Sequence, residues 1–309
     1  MNNDVKGAGS GNGYRDSHEQ TQNTGSYRNQ NGMGAGENSV EQLECVSIVM
    51  PAYNEEGTLE TVVQRVLKVP HLLEVVIVND CSSDATGKVA EQLARQHPKV
   101  KVLHQPVNCG KTEALKTGFA STRGDIVIVQ DADLEYDPSD IGEVIAPILG
   151  GEADVVYGSR FLVRRTARVL YFYHYLANKG LTFLSNLFTN VNLTDVETGY
   201  KAFRGDIIRE MRITSSGFGF EIEVTAKVAK LGCRLYEVPI SYYGRTYEEG
   251  KKIGTMDGVA ALWYIVKFNL LCSLEKSYRL LPAVGPTRFP NVVSEVQLGP
   301  NRKGVTASE

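Results

Sequence analysis

From Cys45 onward, short apolar runs alternate with stretches whose apolar residues recur every three or four positions. Cys45-Val46-Ser47-Ile48-Val49-Met50 predicts a strand, and Pro51, which lacks a backbone donor, ends it. Leu59, Val62, Val63, Val66 and Leu67 fall on one helical face, predicting a helix over 58–69 that stops at Pro70. The alternation continues with strand 73–78, helix 85–96 capped by Asp84, strand 100–103, and a helix opened by Gly110-Lys111 and running to 120. Strand 126–130, helix 138–149 and strand 153–158 follow. This spacing predicts an α/β fold built on a doubly wound, mainly parallel sheet. In such sheets ligands lie beyond the carboxyl ends of the strands. Asn54-Glu55, Asp80, Asp131-Ala132-Asp133 and Arg160 each follow a predicted strand, so the rule gathers them on one edge.

After position 160 the pattern changes. Tyr171, Phe172, Tyr173, Tyr175, Leu176, Phe183, Leu187 and Phe188 predict one or two amphipathic helices within 161–190, preceded by Arg164, Arg165 and Arg168. Two readings stand: helices that cover the sheet, or an element lying on a membrane with its rings at headgroup depth. A helix over 217–232 carries Glu221 and Glu223 in its first turn, where acids suit the helix dipole. Pro239 marks the extended segment 235–242 as an edge strand. A flexible basic loop over 244–252 precedes a closing helix over 256–274, with Trp263, Ile265 and Val266 as its apolar body. Residues 1–40 are Gly, Asn, Ser and Gln with scattered charge, and cannot bury enough apolar surface to offset chain entropy; disorder is expected there. The folded domain is expected over 44–275, in halves 44–160 and 161–275, followed by a mobile or loosely packed tail over 277–309.

Composition narrows the function. A chain with 42% hydrophobic and 22% charged residues has a globular balance, and a net charge of −3 leaves no general footprint for nucleic acid. The five cysteines are scattered, with no C-x-x-C, so reduced thiols in a cytoplasmic setting are expected rather than a disulfide frame or a zinc site. No signal peptide is evident, and no apolar run approaches the roughly 18 residues of a spanning helix. The G-x-G-x-x-G fingerprint is absent after the first strand, and Gln105 stands where a Walker A motif ending in Gly110-Lys111-Thr112 would need glycine. What remains is Gln130-Asp131-Ala132-Asp133-Leu134-Glu135, three carboxylates directly after the β-branched run Ile126-Val127-Ile128-Val129. Unpaired charge beside a core strand is costly. A hard divalent cation such as Mg²⁺ or Mn²⁺ resolves that cost, and it keeps positions open for substrate phosphates.

Taken in order, Pro51-Ala52-Tyr53-Asn54-Glu55, Val78-Asn79-Asp80, Gly110-Lys111, Asp131-Ala132-Asp133-Leu134-Glu135, Gly158-Ser159-Arg160, Val238-Pro239-Ile240-Ser241 and the 245–251 loop resemble a family 2 glycosyltransferase of GT-A fold. The likeness is greatest to the dolichyl-phosphate mannose synthase group and its bacterial polyprenyl-phosphate relatives, and it runs from about 46 to 271. It implies that 44–160 is the nucleotide-sugar half, with a small antiparallel addition to the sheet. Pro51, Tyr53 and Glu55 would line the nucleoside pocket, with Val78 and Asp80 reading the base. Asp131 and Ala132 would lie under the ribose and diphosphate, and Asp133 and Glu135 would bind Mg²⁺ or Mn²⁺. Arg160, Arg245 and Lys251 would hold the donor phosphates, with Asp133, Arg245 and Lys251 as the catalytic set, and Lys179 would meet the acceptor phosphate. The implied reaction is an inverting, non-processive transfer of one sugar from a UDP- or GDP-sugar to a dolichyl-type or undecaprenyl phosphate, by an enzyme peripheral on the cytoplasmic membrane surface. The Gln-x-x-Arg-Trp signature of processive synthases is absent. A phosphate monoester is already largely dianionic near neutral pH and needs no general base, whereas a hydroxyl acceptor needs one, for which Asp195 or Glu221 could serve. The alternatives are transfer to a hydroxyl of a soluble, polysaccharide or protein acceptor, and an inactive nucleotide-sugar-binding module. Base, sugar, lipid length and any homo-oligomer stay open, not least because Glu135 and Asn79 stand where the group often has Gln and Asp.

Overall fold

Ile48 and Met50 pack into one hydrophobic cluster and Val49 into another, so the first strand, β1 (Val46–Ala52), is buried on both faces. That burial explains its unbroken apolar run. The structure is a computed structural model and describes residues 43–162, 171–217, 219–244 and 255–285. The first half alternates as the sequence predicts: β1, α1 (Leu59–Val66), β2 (Leu72–Asn79), α2 (Thr86–Gln96), β3 (Val100–His104), α3 (Lys111–Ser121), β4 (Ile126–Val129), a 3₁₀ turn at Pro138–Asp140, α4 (Ile141–Leu149) and β5 (Val155–Ser159). The second half contains α5 (Phe172–Thr189), β6 (Lys201–Arg204), α6 (Gly205–Glu210), α7 (Phe220–Leu231), β7 (Leu235–Pro239), α8 (Thr255–Val266), a π-helical turn at Lys267–Leu271 and α9 (Leu274–Ser277).

Among the described residues the strands form one seven-stranded sheet in the order β3-β2-β1-β4-β6-β5-β7. All neighbours are parallel except β6, which runs antiparallel to both β4 and β5. Helices α1, α2 and α4 cover one face and α3, α6 and α7 the other, the doubly wound arrangement expected. The edge position of β7 agrees with Pro239.

Several expectations need correction. The sequence reading assigned no element to β6, yet this short strand sits between β4 and β5 rather than at the rim. The closing helix is broken by the π turn, and only Ile265 of its three expected core residues is buried; Trp263 is 57% exposed and Val266 lies at the surface. The start of the tail is well packed: Tyr278 is buried, bridges to Met211, and its neighbour Arg279 donates its N–H to the Glu210 carbonyl at 2.8 Å. Asp84 is not the N-cap of α2, but one residue further out its Oδ1 still accepts the Thr86 N–H at 2.9 Å. Residues 1–40, Arg164, Arg165, Arg168, Arg245, Lys251 and 286–309 lie outside the described residues.

Candidate active site

The carboxyl ends of β1, β2, β4 and β5 bring their following loops to one edge of the sheet. After β1, Asn54 takes a left-handed conformation (φ 55°) that asparagine tolerates, and its Oδ1 accepts the Ser83 N–H at 2.9 Å. The Glu55 N–H donates to Thr86 Oγ1 at 2.8 Å, so the 53–55 loop is tied to the start of α2. Pro51 pairs with Val78 across the β1–β2 ladder, and Tyr53 is partly exposed at the rim. Val78 packs its side chain against Val76 and Ala114, which leaves its backbone as the part nearest any ligand.

Asp80 is buried, and its carboxylate accepts the N–H groups of Cys109 (2.9 Å) and Gly110 (2.7 Å). Gly110 needs its φ of 85° to start α3 there, a conformation costly for residues with a Cβ. This grip positions Lys111, whose Nζ lies 3.0 Å from Asp131 and 3.4 Å from Glu221 of α7. Burial acts to lower the Lys111 pKa, but Asp131 and then Glu221 outweigh it and hold the ammonium charged well above the usual lysine range. The sequence marks Gly110-Lys111 as a helix start, as found, but gives Lys111 no partner: Asp131 and Glu221 lie 20 and 110 positions away, where no local pattern points to them.

Past β4, Gln130 is fully buried and accepts a hydrogen bond from Tyr200 Oη. Ala132 is buried beside it. Leu134 has φ 61°, unusual for a branched residue and a strain of roughly 1–3 kcal/mol. Beside that turn the Glu135 N–H reaches back to Asp133 Oδ1 at 3.1 Å. Glu135 Oε2 accepts the Tyr242 hydroxyl at 2.8 Å, and the Tyr243 N–H donates to the Glu135 carbonyl at 2.8 Å. The Tyr136 ring stacks on Tyr200 at 4.8 Å and meets Tyr242 at 5.2 Å, and its Oη accepts the Gly199 N–H at 2.8 Å. Gly199 fits because a Cβ there would lie 2.8 Å from Asp131 Oδ2. No group of three or more His, Cys, Asp or Glu near enough to hold a metal occurs among the described residues. Asp133 and Glu135 are two oxygen-donor side chains at this turn, fewer than a Mg²⁺- or Mn²⁺-type ion needs, so any such ion here would have to take its remaining oxygens from substrate and water.

At the end of β5, Arg160 clasps Asp195: its backbone N–H, Nε and one terminal nitrogen donate to the two carboxylate oxygens at 3.1, 2.7 and 2.7 Å. Burial acts to raise the Asp195 pKa, but Arg160 overcomes it and holds the carboxyl below the usual range. Lys179 of α5 donates to the Thr194 carbonyl at 2.9 Å and sits 4.3 Å over the Phe161 ring. Thr194 and Asp195 are in turn held by Glu237 of β7 through their N–H groups. The structure thus places Lys179, Asp195 and Arg160 around one loop, and Lys111, Asp131 and Glu221 in one ion-pair cluster.

The mainly parallel sheet with antiparallel β6 inside it, and polar loops at the strand ends, has the architecture of the GT-A glycosyltransferases. A model of the family described as Glycosyl transferase family 2 matches residues 47–212, and the chain belongs to that family. It is 31% identical over 227 residues to the undecaprenyl-phosphate mannosyltransferase of Micrococcus luteus, covering 70% of this chain and 91% of that protein. To the polyprenol monophosphomannose synthase of Mycolicibacterium smegmatis it is 29% identical, over 72% of this chain and 87% of that one. A solved structure of glucosyl-3-phosphoglycerate synthase from Mycobacterium tuberculosis shares the fold, with a TM-score of 0.58, 22% identity, and coverage of 74% of this chain and 81% of that one.

Proposed function

We propose that this glycosyltransferase moves a single sugar from a nucleoside-diphosphate sugar to a polyprenyl phosphate at a membrane surface, with inversion at the anomeric carbon. The observation that carries this reading is the state of Asp195. Arg160 occupies both of its oxygens and depresses its pKa, so it is a poor proton acceptor. A hydroxyl acceptor needs a base; a phosphate monoester, with its second pKa near about 6, does not. The names of the relatives, a polyprenol and an undecaprenyl-phosphate mannosyltransferase, support the same acceptor class.

In this reading Pro51, Tyr53, Glu55, Val78 and Asp80 form the nucleoside pocket, and Asp131 and Ala132 underlie the ribose and diphosphate. Asp133 and Glu135 hold Mg²⁺ or Mn²⁺, whose positive charge, when bound, neutralises the departing diphosphate. Arg160, Arg245 and Lys251 add positive charge around the same phosphates, and stabilising charge that develops in the transition state is a large catalytic term. Lys179, held at the Thr194 carbonyl, would in this reading meet the acceptor phosphate. Its helix, α5, turns Phe172, Tyr173, Leu176, Phe183 and Leu187 outward, an apolar surface suited to lipid. No described helix is long and apolar enough to cross a membrane.

The test is a donor and acceptor screen with Mn²⁺ or Mg²⁺. Transfer to a short-chain prenyl phosphate supports the reading, and because Asp195 orients Arg160, Asp195→Asn should slow that transfer without abolishing it. Transfer only to a hydroxyl acceptor, abolished by that substitution, overturns it.

A further inference from the structure

In the proposed reaction Lys179 meets the acceptor phosphate and Arg160 the donor phosphates, and both cations hang from two consecutive residues. Lys179 Nζ donates to the Thr194 carbonyl at 2.9 Å. Arg160 donates from Nε and one terminal nitrogen to the Asp195 carboxylate, at 2.7 Å each. The Thr194–Asp195 peptide is therefore a shared mount for the two, and its own supports decide how far apart they stand. One support is α5, which turns Lys179, Thr182 and Asn186 to the loop, a spacing of three and then four that falls on a single helical face. Thr182 Oγ1 accepts the Val196 N–H at 3.2 Å, and the Asn186 side chain accepts the Leu193 N–H at 3.1 Å and donates to its carbonyl at 2.7 Å. The other support is Glu237 of β7. It accepts the Thr194 N–H on both carboxylate oxygens, at 3.0 and 2.9 Å, the Thr194 hydroxyl at 3.2 Å and the Asp195 N–H at 3.3 Å. An ionised carboxylate only accepts, which orders the hydroxyls that lead to it. The Thr194 hydroxyl donates to Glu237, so Ser159 Oγ, 2.6 Å away, donates to Thr194 Oγ1 and accepts the Phe161 N–H at 3.2 Å. Phe161 in turn puts its ring 4.3 Å from Lys179 Nζ. One half-buried acid thus braces the backbone beneath both cations and the ring beneath one of them.

We propose that Glu237 is a positioning residue for the transfer: acting through the Thr194–Asp195 peptide, it sets the spacing of Lys179 and Arg160, and with it the alignment of acceptor phosphate and leaving diphosphate. The inference rests on the reaction proposed above and adds to it a residue that touches neither phosphate. In a one-step displacement the nucleophile and the leaving group must lie in line, and a misplacement of about 1 Å can cost on the order of 10²-fold in rate. Glutamine is not an equivalent at this position. It has the same shape, but one of its two terminal atoms is an NH₂ group, which would face the Thr194 N–H where a carboxylate oxygen now accepts it.

Amide hydrogen exchange of the full chain tests the grip without reference to any reaction. Exchange at Thr194 and Asp195 should quicken by about tenfold or more in Glu237→Gln, and unchanged exchange overturns the proposal. Transfer kinetics with a short-chain prenyl phosphate test the role. Glu237→Gln should raise the acceptor KM and lower kcat, each by about tenfold, and should leave the acceptor KM unmoved in a Lys179→Met background. A part played only in stability would lower the folded fraction, and so the apparent kcat, with KM unchanged; that result overturns the proposal. Should Glu237→Gln not fold, Thr194→Val, which removes the hydroxyl relay and keeps the peptide, should raise the acceptor KM about threefold or more while Thr194→Ser keeps it near the wild-type value. Equal KM values in those two variants contradict the role. A wild type that transfers nothing to prenyl phosphate overturns the assigned reaction, and this role with it, whereas normal wild-type transfer with KM unmoved by Glu237→Gln overturns the role alone.

Discussion

Asp195 is fully buried and its partner Arg160 nearly so, which makes the pair sensitive to the loss of either member. Asp195→Asn leaves a buried guanidinium without its counter-charge and should destabilise the fold by about 3–5 kcal/mol, read as a lower denaturant midpoint. Asp133→Asn and Glu135→Gln test the opposite behaviour: each should lower turnover on the order of 10²-fold while the melting temperature stays within a few degrees. Unchanged activity in both would remove the carboxylates from the reaction. Gly199→Ala places a methyl 2.8 Å from Asp131 Oδ2, and should weaken nucleotide-sugar binding as well as cost about 1–3 kcal/mol. At this scale the sequence was informative only where chemistry is local. Three acids after a β-branched run stand out as candidates, and a glycine between a strand and a helix marks the start of α3. Lys111 does not stand out, because its partners Asp131 and Glu221 come from distant elements, and the buried Lys201 looks like any other lysine until β6 is placed.

The elements divide in the same way. Strands β1, β2 and β4 were legible because a parallel strand buried on both faces must be apolar throughout. β6 was not, because Lys201-Ala202-Phe203-Arg204 carries a charge at each end; those charges are tolerated in the sheet interior because Lys201 turns to two carbonyls and Arg204 pairs with Asp154 at 3.0 Å and with Asp206. α5 presents the reverse problem. Its periodic apolar residues fit a core helix and a lipid-facing helix equally, and only burial separates them: Thr182 and Ser185 point inward while Phe172, Tyr173 and Phe183 are 67%, 81% and 67% exposed. Replacing Phe172, Tyr173, Phe183 and Leu187 with Ser should abolish flotation with anionic vesicles yet spare transfer to a short, water-soluble prenyl phosphate, since all four side chains are exposed. Equal flotation of variant and wild type would show that this face does not meet lipid.

For the whole molecule, pH reads the contribution of the Asp195–Arg160 pair to folding. Arg160 lowers the folded-state pKa of Asp195 below its unfolded value, so the stability from this pair is fully present above about pH 4 and is lost as pH falls through the folded value. The melting temperature should therefore drop in acid, and drop less steeply in Asp195→Asn, as scanning calorimetry would record. The mainly parallel sheet followed from strand–helix alternation, but its strand order, with β6 between β4 and β5, did not, and the acceptor class is argued from Asp195, a candidate base already held by Arg160. That choice is tested most directly by incubating the protein with UDP- and GDP-sugars, Mn²⁺ and a short-chain prenyl phosphate, and determining the anomeric configuration of any glycosyl phosphate formed. The account predicts a single sugar joined to the prenyl phosphate with inverted configuration; a retained configuration, or transfer to hydroxyl acceptors alone, would contradict it.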